Sequence, residues 1–469
     1  MGVKPKMGIL FFTSGWFRDV GLQSSSSSIT GEVDGIGEEI IQNLSSFLEP
    51  VYSGVIFSKE ESDRAAAEIR SAGADGIIIA PLMWAEDQLI RAALNELPEL
   101  PFIVCLFLPY NTLSEFVGYQ DMLKGSGMVA MLQWSGFLKR EGYEYRTVSG
   151  YYRDMNVYDE INEHCLALSV LKSLKNARCG VLPFRCDVMS TTYVDEFRIR
   201  DLYGVELKYL ELSRFKEVAD ACTEGEIGQF ESRLRNEGYE IEINQKNLNE
   251  GIKYAIAMEK ILLEERINIF VMNDVIDEMH NCFGLRPCLP NPEIAGSGIV
   301  VNMEADVAAG IAMYVLQLFT GDVPFYTETY TADLEKNALL MGHPGYHNVS
   351  NFDEDQPVRI VNDIEYENSD VFTGASAYFK YKPGPVTAVN CVYNGDKLRW
   401  TVFEGYSLEG PPKMEGTCHL FCKIEKPVKV FCERTVQIGV SQHWVVVPGH
   451  VKNRLESLCS WLNIGFCSV

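Results

Sequence analysis

Short apolar runs alternate with amphipathic stretches along the first third of the chain. Residues 7–13, 75–80 and 102–108 are almost continuously apolar, which is typical of strands buried on both faces. Residues 37–48 lie between the first two runs and carry apolar side chains at helical spacing. Buried strands that alternate with helices predict a parallel, doubly wound sheet of the Rossmann-like or flavodoxin-like kind. We assign this α/β domain to residues 1–155.

The alternation begins again after a long helical stretch at residues 157–173. Strand-like runs at residues 179–183 and 268–272 lie on either side of an amphipathic helix predicted at residues 247–265. This pattern predicts a second α/β domain of similar build, which we assign to residues 156–350.

The last third changes to short strands joined by turn signals, such as those at residues 382–385 and 394–396. The predicted strands cover residues 359–366, 374–382, 386–394, 397–404, 417–424, 428–437 and 443–447. This pattern predicts a β-rich, barrel-like C-terminal domain at residues 351–469, with a sandwich as the alternative and a closing helix at residues 451–462. The serine tract at residues 24–28 is predicted to form a loop, with a lid over the strand ends as the alternative.

Length and composition agree with this division and exclude several kinds of partner. At about 150 residues per domain, 469 residues predict roughly three domains. Lys and Arg number 41 against 65 Asp and Glu, a net charge of 41 − 65 = −24, so we expect no nucleic-acid partner. Because apolar runs stay well short of the roughly 18 residues that span a bilayer, we expect no membrane insertion. The 13 scattered cysteines and the lack of a signal-peptide pattern predict reduced thiols in a cytoplasmic protein.

Common nucleotide and hydrolase motifs are missing from the sequence. There is no GxGxxG, Walker or GxSxG motif, so dinucleotide, phosphate-loop and serine-hydrolase chemistry have no support. There is no CxxC pair either. Cys418, Cys422 and Cys432 invite a zinc interpretation, but alternation along residues 417–425 favours core packing.

Four polar side chains stand where apolar strand patterns give way to polar residues. Glu304 follows the predicted strand at residues 298–302, and Glu328 lies in a strand-like stretch. His343 follows a short buried run, and His443 opens another. Two carboxylates and two imidazoles suit one octahedral divalent cation of the manganese type, with Co²⁺ or Mg²⁺ as substitutes.

Each of these residues also has an ordinary interpretation when it is taken alone. A glutamate such as Glu304 interacts favourably with a helix N-terminus, and a glutamate within a strand usually faces water. A histidine at the end of a strand or in a turn is commonly a hydrogen-bonded structural residue. We regard His347 in this way, and we assign His450 to the start of the closing helix. The cation hypothesis therefore depends on all four side chains converging in space.

At these residues the chain resembles the superfamily of L-fucose isomerase and L-arabinose isomerase, which shares the order of two α/β domains and a β-rich domain. The family's ligands are a glutamate at a strand end, a second acidic residue some two dozen positions later, and two histidines. Glu304, Glu328, His343 and His443 match these positions. The stretch before the first histidine is also reproduced, by Asn337, Leu340 and Gly342. The resemblance implies a metal-dependent aldose–ketose isomerase and a homo-oligomer, a hexamer in the family.

Departures from the family pattern leave the sugar open. The arabinose enzymes carry a His-Gly pair in the first domain, where this chain has Lys124-Gly125-Ser126-Gly127, and a paired histidine where it has Gln442. We regard Trp16, Arg18 and Gln442 as candidate substrate-binding residues. Arg18 would suit an anionic sugar, for example a sulfonated one. The alternative is that Arg18 is a solvated loop residue.

We therefore expect isomerisation of a monosaccharide, a deoxy sugar or an anionic one, by proton transfer through a cis-enediol. Glu304 and Glu328 would act as the acid and the base, in an order that the residues do not decide. Two alternatives stay open: a non-catalytic sugar-binding or sensing protein, and a metal-dependent sugar epimerase.

Overall fold

The computed structural model describes residues 4–19, 29–394 and 397–469. The serine tract at residues 24–28 and most of the predicted turn at residues 394–396 lie outside these ranges. The chain divides into two compact units, one reaching to Lys172 and the other running from Ser173 to Val469. The finer division into three domains stays a prediction.

The first unit is built on a parallel sheet. Its strands are β1 (Lys6–Phe12), β2 (Glu49–Val51), β3 (Gly76–Pro81), β4 (Phe102–Leu108) and β5 (Arg146–Tyr151). They pair in the order β2-β1-β3-β4-β5, and every pair is parallel. The helices that begin in this unit are α1 (Gly15–Asp19), α2 (Ile29–Leu44), α3 (Lys59–Ala72), α4 (Asp87–Glu96), α5 (Tyr119–Lys124), α6 (Gly127–Arg140) and α7 (Met155–Leu174). The predicted doubly wound architecture is confirmed.

The second unit contains a parallel sheet, a small mixed sheet and a barrel. Its strands are β6 (Arg178–Leu182), β7 (Glu206–Tyr209), β8 (Glu240–Ile241), β9 (Ile269–Met272), β10 (Val300–Asn302), β11 (Phe325–Asp333), β12 (Ala338–His343), β13 (Arg359–Asn362), β14 (Ala375–Tyr378), β15 (Gly384–Asn394), β16 (Lys397–Ser407), β17 (Cys418–Ile424), β18 (His443–Pro448) and β19 (Gly465–Ser468). Its helices are α8 (Glu196–Tyr203), α9 (Leu212–Asp220), α10 (Glu224–Asn236), α11 (Gln245–Glu264), α12 (Asp277–Phe283), α13 (Pro292–Gly296), α14 (Val307–Thr320), α15 (Val428–Ile438) and α16 (Lys452–Leu462).

The parallel sheet of this unit has the order β10-β9-β6-β7 and confirms the second α/β pattern. Strands β8, β13 and β14 form the small sheet. No helix among the described residues combines the length and the apolar character that crossing a membrane requires.

Six strands close the predicted antiparallel barrel, in the order β15-β18-β11-β12-β17-β16, with β15 pairing back to β16. Strand β19 adds to β16 in parallel. The apolar cluster around the barrel includes Leu339, Met341, Phe403 and Trp444. Cys418 and Cys422 belong to the same cluster, as the core-packing interpretation expects.

One predicted strand is wrong: residues 428–437 form most of the helix Val428–Ile438. Its buried positions are Val428, Phe431 and Thr435, at spacings of three and four residues, which mark one face of a helix. The β-branched valines of this segment favoured the strand prediction.

Candidate metal centre

Glu304 lies in a tight turn between β10 and α14. Glu304 and Ala305 both have left-handed backbone conformations, with φ of +60° and +50°. The turn ends at Asp306, whose Oδ1 accepts a hydrogen bond of 2.9 Å from the Ala309 N–H and caps α14. The chain thus reverses within three residues at the carboxyl end of the parallel sheet, where α/β proteins commonly place ligands.

Three neighbouring strands of the barrel supply the other predicted residues. Glu328 of β11 lies opposite His443 of β18 on one side and opposite Gly342 of β12 on the other. His343 follows Gly342 at the end of β12. The antiparallel register therefore brings three residues together that are up to 115 positions apart, counting from Glu328 to His443.

The four predicted residues meet in one cluster, in which one ligand atom from each lies within 4.8 Å of the others. His443 Nε2 is 2.5 Å from Glu304 Oε2 and 3.9 Å from Glu328 Oε1. His343 Nε2 is 3.7 Å from Glu304 Oε1. Glu304 and both histidines are buried, and Glu328 is partly exposed. The cluster could hold a metal ion.

The atoms at the centre of the cluster lack hydrogen-bond partners. Glu304 Oε2, His343 Nε2 and His443 Nε2 are all buried and have none within the described structure, although His443 Nε2 and Glu304 Oε2 lie 2.5 Å apart as an ion pair. Buried polar atoms without partners are unfavourable by about 1–3 kcal/mol each. Carboxylate and imidazole atoms that face one another in this way fit a divalent cation between them.

The outer nitrogens of both imidazoles, in contrast, are hydrogen-bonded. His343 Nδ1 donates to the Pro344 carbonyl at 2.6 Å, and His443 Nδ1 donates to Asp306 Oδ2 at 2.7 Å. A carbonyl or an ionised carboxylate only accepts, so Nδ1 carries the hydrogen and Nε2 is the atom left to bind a metal. We did not predict this role for Asp306. Its place before an apolar helical run signals a cap, but no sequence pattern points to His443.

Charges within the cluster shift its pKa values strongly. Burial alone would lower the pKa of His443, but the hydrogen bond to Asp306 and the negative charges of Asp306 and Glu304 outweigh burial and raise it to about 10. Burial likewise opposes a raised pKa at His343, and Glu304 again outweighs it. Burial also opposes ionisation of Glu304, but the two imidazoles hold its pKa well below the usual range. Glu304 is therefore a carboxylate at neutral pH.

A buried aromatic ring supports both histidines. The ring centroid of Tyr326 lies 4.9 Å from the ring of His343 and 4.9 Å from that of His443. The Tyr326 hydroxyl donates to the Met303 carbonyl at 3.4 Å, next to the Glu304 turn. Tyr326 thus packs against both imidazoles and contacts the turn that carries the glutamate.

The remaining predicted residues have contacts of their own. Gln442 Oε1 accepts a hydrogen bond of 3.0 Å from Thr191 Oγ1. In the first unit, the Trp16 side chain is 44% exposed. The Arg18 guanidinium lies 3.7 Å from the ring centroid of Phe57 and 3.4 Å from Glu61 Oε1. The substrate roles of Trp16, Arg18 and Gln442 stay predictions.

Neither histidine that we regarded as structural joins the cluster. His347 Nε2 donates to the His343 carbonyl at 2.7 Å and so stabilises the chain after β12. His450 Nδ1 lies 3.3 Å from Glu404 Oε2, away from the four residues of the cluster.

Fold and site together define an α/β protein with a C-terminal barrel and a buried cluster able to bind a cation. No family model matches the sequence. The chain is 20% identical over 398 residues to the sulfoquinovose isomerase of Alkalicoccus urumqiensis, across 83% of this chain and 85% of that protein. This similarity supports an isomerase, that is, an intramolecular oxidoreductase, and a sugar isomerase family in general. This similarity does not support membership of the fucose and arabinose isomerase superfamily in particular.

Solved structures are similar only at a low level. A periplasmic sugar-binding protein of an ABC transporter from Legionella pneumophila is 10% identical, with a TM-score of 0.16, across 68% of this chain and 97% of that chain. A periplasmic solute-binding protein from Actinobacillus succinogenes with bound D-allose is 13% identical, with a TM-score of 0.15, across 67% and 92%. Scores this low carry no argument about fold or ligand.

Proposed function

We propose that this protein is a metal-dependent aldose–ketose isomerase that acts on a sulfonated monosaccharide. The observation that carries the proposal is the set of buried, unpartnered atoms of Glu304, His343 and His443, with Glu328 beside them. The similarity to a sulfoquinovose isomerase supports both the reaction and the sulfonated sugar.

The cation would be held by Glu304, Glu328, His343 and His443. Mixed oxygen and nitrogen donors favour Mn²⁺, with Co²⁺ or Mg²⁺ as substitutes. When bound, such a cation supplies stabilisation of the negative charge that develops on two adjacent sugar oxygens.

Proton transfer between C1 and C2 requires a base and an acid beside the same two carbons. Glu304 and Glu328 fill these roles: one removes the proton from C2, the other delivers a proton to C1, and the hydroxyl proton on O2 passes to O1 through the cis-enediol. Glu304 stays ionised because both imidazoles lie against it. Glu328 keeps 23% of its side chain exposed, so it can reach a bound sugar and exchange protons with solvent.

The sulfonate and the hydroxyls of the sugar need partners outside the cation site. We propose Trp16, Arg18 and Gln442 as substrate contacts, with Arg18 pairing with the anionic group. Half of the Arg18 side chain is exposed, and its guanidinium pairs with Glu61 at 3.4 Å. We also propose a cytoplasmic homo-oligomer, a hexamer in line with the family resemblance, and the free cysteines agree with a reducing compartment.

The test is a screen of sulfonated, deoxy and neutral aldoses with added Mn²⁺ in deuterated water, followed by NMR. The expected product is the ketose of the sulfonated sugar, with deuterium at C1. A ketose without deuterium would overturn the assignment of base and acid to two different carboxylates. An epimeric aldose would identify the metal-dependent epimerase, and sugar binding without turnover or a cation would identify a sensing protein.

A further inference from the structure

The turn that carries Glu304 is held in an unfavourable backbone conformation. Neither Glu304 nor Ala305 is glycine, and the left-handed conformation is unfavourable by about 1–2 kcal/mol per non-glycine residue. Two hydrogen bonds hold it: the Glu304 N–H donates to Asp274 Oδ1 at 2.9 Å, and the Ala305 N–H donates to the Met272 carbonyl at 2.9 Å. Such conformations persist only where the surroundings enforce them, and they concentrate at functional sites.

Asp274 connects this turn to a buried arginine. Its side chain is 1% exposed, and its second oxygen, Oδ2, lies 3.3 Å from Arg286 Nη1. The two oxygens of one carboxylate thus point in two directions, toward the Glu304 backbone and toward a guanidinium. Their arrangement fixes the orientation of Asp274.

Arg286 is in turn fixed from its other side. Its side chain is 2% exposed, and it makes two parallel hydrogen bonds to Asp363, from Nε to Oδ2 at 2.6 Å and from Nη2 to Oδ1 at 2.5 Å. The guanidinium also pairs with Glu365. A bidentate pair of this kind sets geometry as well as charge. A continuous path of buried contacts therefore runs from Asp363 through Arg286 and Asp274 to the backbone of Glu304.

We propose that Asp274 and Arg286 are positioning residues of the cation site. Arg286 orients Asp274, and Asp274 holds the left-handed turn so that the Glu304 carboxylate faces His343 and His443. The inference rests on the proposed function in taking Glu304 as a ligand of the cation.

Asp274→Asn is the sharpest test because the amide cannot satisfy both neighbours. If its oxygen faces the Glu304 N–H, its NH₂ group faces Arg286. If it turns around, the NH₂ group faces the Glu304 N–H instead. Since loss of such outer contacts typically weakens metal binding by about 10–100-fold, we expect a loss of that size in Mn²⁺ affinity. Titration of the chelator-treated full chain, followed by the electron paramagnetic resonance signal of free Mn²⁺, measures it.

Asp353→Asn is the matched control. Asp353 is also buried, and its Oδ2 pairs with the buried Lys380 Nζ at 2.8 Å in the same unit, but it has no hydrogen bond to the cluster. Both variants lose one carboxylate of a buried ion pair. If Asp274 only stabilised the fold, both would lower the unfolding temperature, and neither would change Mn²⁺ affinity.

A second substitution tests whether Asp274 acts through the backbone conformation of the turn or through its own charge. Ala305→Gly relieves part of the left-handed strain, so it should restore Mn²⁺ affinity several-fold in the Asp274→Asn background. If Asp274→Asn fails to fold, Asp363→Asn tests the same path one contact further out, with a smaller expected loss. Mn²⁺ affinity equal to that of the unaltered protein in Asp274→Asn and Asp363→Asn, or no rescue by Ala305→Gly, would overturn the inference. Absence of Mn²⁺ binding by the unaltered protein would overturn the proposed function and the inference with it.

Discussion

Asp306 has two roles, one for each carboxylate oxygen, and Asp306→Asn separates them. Oδ1 caps α14 through the Ala309 N–H, and Oδ2 accepts from His443 Nδ1. Asparagine keeps an oxygen for the cap but places an NH₂ group where Oδ2 was. The NH₂ group of asparagine and the Nδ1–H of His443 would then be two donors that face each other. His443 avoids this only in the tautomer whose hydrogen is on Nε2. That nitrogen is the one that faces Glu304 at 2.5 Å, so His443 would lose its metal-binding atom.

The two roles differ in their expected magnitudes. Asparagine is about as good an N-cap as aspartate, so we expect the free energy of unfolding to change by a few tenths of a kcal/mol through the cap. A hydrogen bond to a charged group contributes about 1.5–3 kcal/mol. Since about 1.4 kcal/mol is a factor of ten in affinity, its loss should weaken Mn²⁺ binding by roughly 10–100-fold. Asp306→Ala should lose the same affinity and also about 1 kcal/mol of stability, because the cap is lost as well.

Calorimetric titration with Mn²⁺ and urea unfolding of the metal-free protein measure the two effects independently. We expect Asp306→Asn and Asp306→Ala to bind Mn²⁺ equally weakly but to differ in stability. Mn²⁺ affinity in Asp306→Asn within about twofold of the unaltered protein, well inside the loss expected for an outer contact, would refute it.

Three further predictions concern the reaction and the stability of the first unit. Treatment with a chelator should abolish turnover and added Mn²⁺ should restore it, and full activity of metal-free protein would contradict the metal requirement. Glu304→Gln and Glu328→Gln should each remove turnover with an unchanged circular dichroism spectrum, and a variant that kept substantial activity would exclude that residue as the acid or base. Burial lowers the pKa of His164 from 6.5 to about 4, so the unfolded chain takes up a proton there first as the pH falls. Stability should therefore be complete above pH 6.5 and fall by about 2 kcal/mol by pH 5, and urea unfolding of His164→Gln should show a correspondingly smaller acid loss.

The inner part of the candidate site could be predicted from the sequence, and its outer part could not. Glu304, His343 and His443 lie at the ends of predicted strands and Glu328 lies within one, so residue type, position and the family resemblance together pointed to them. No sequence pattern marks the residues that orient these four side chains. Asp306 looks like an ordinary helix cap, and Asp274 looks like a polar residue after a strand. Their roles depend on contacts that only the folded chain creates, such as the hydrogen bond from His443 to Asp306.

Some single helices and strands also depend on contacts that only the folded chain creates. Continuous apolar strands separated by helices were enough to predict both parallel sheets. Turn signals predicted an antiparallel barrel or sandwich from residue 351 onward, but two of the six barrel strands, β11 and β12, come from residues 325–343, which we assigned to the central α/β domain. In the segment Val428–Ile438, β-branched residues favour a strand, whereas the positions that become buried have helical spacing. Packing against the barrel decides between the two, because most helical stability in proteins comes from tertiary burial and not from propensity.

The cluster differs from an ordinary buried hydrogen-bond network in where its unsatisfied atoms lie. In an ordinary network nearly every buried donor meets an acceptor. Here the outward-facing groups are satisfied, by Pro344, Asp306 and Asp274, while the inward-facing atoms of Glu304 and both histidines face one another and make no hydrogen bond within the described residues. The side chains of the cluster are therefore oriented without a cation, and a bound cation would remove the unfavourable burial of their inner atoms. It follows that affinity for the cation depends on the outward contacts as well as on the ligands, and that breaking an outward contact should weaken binding without altering any ligand.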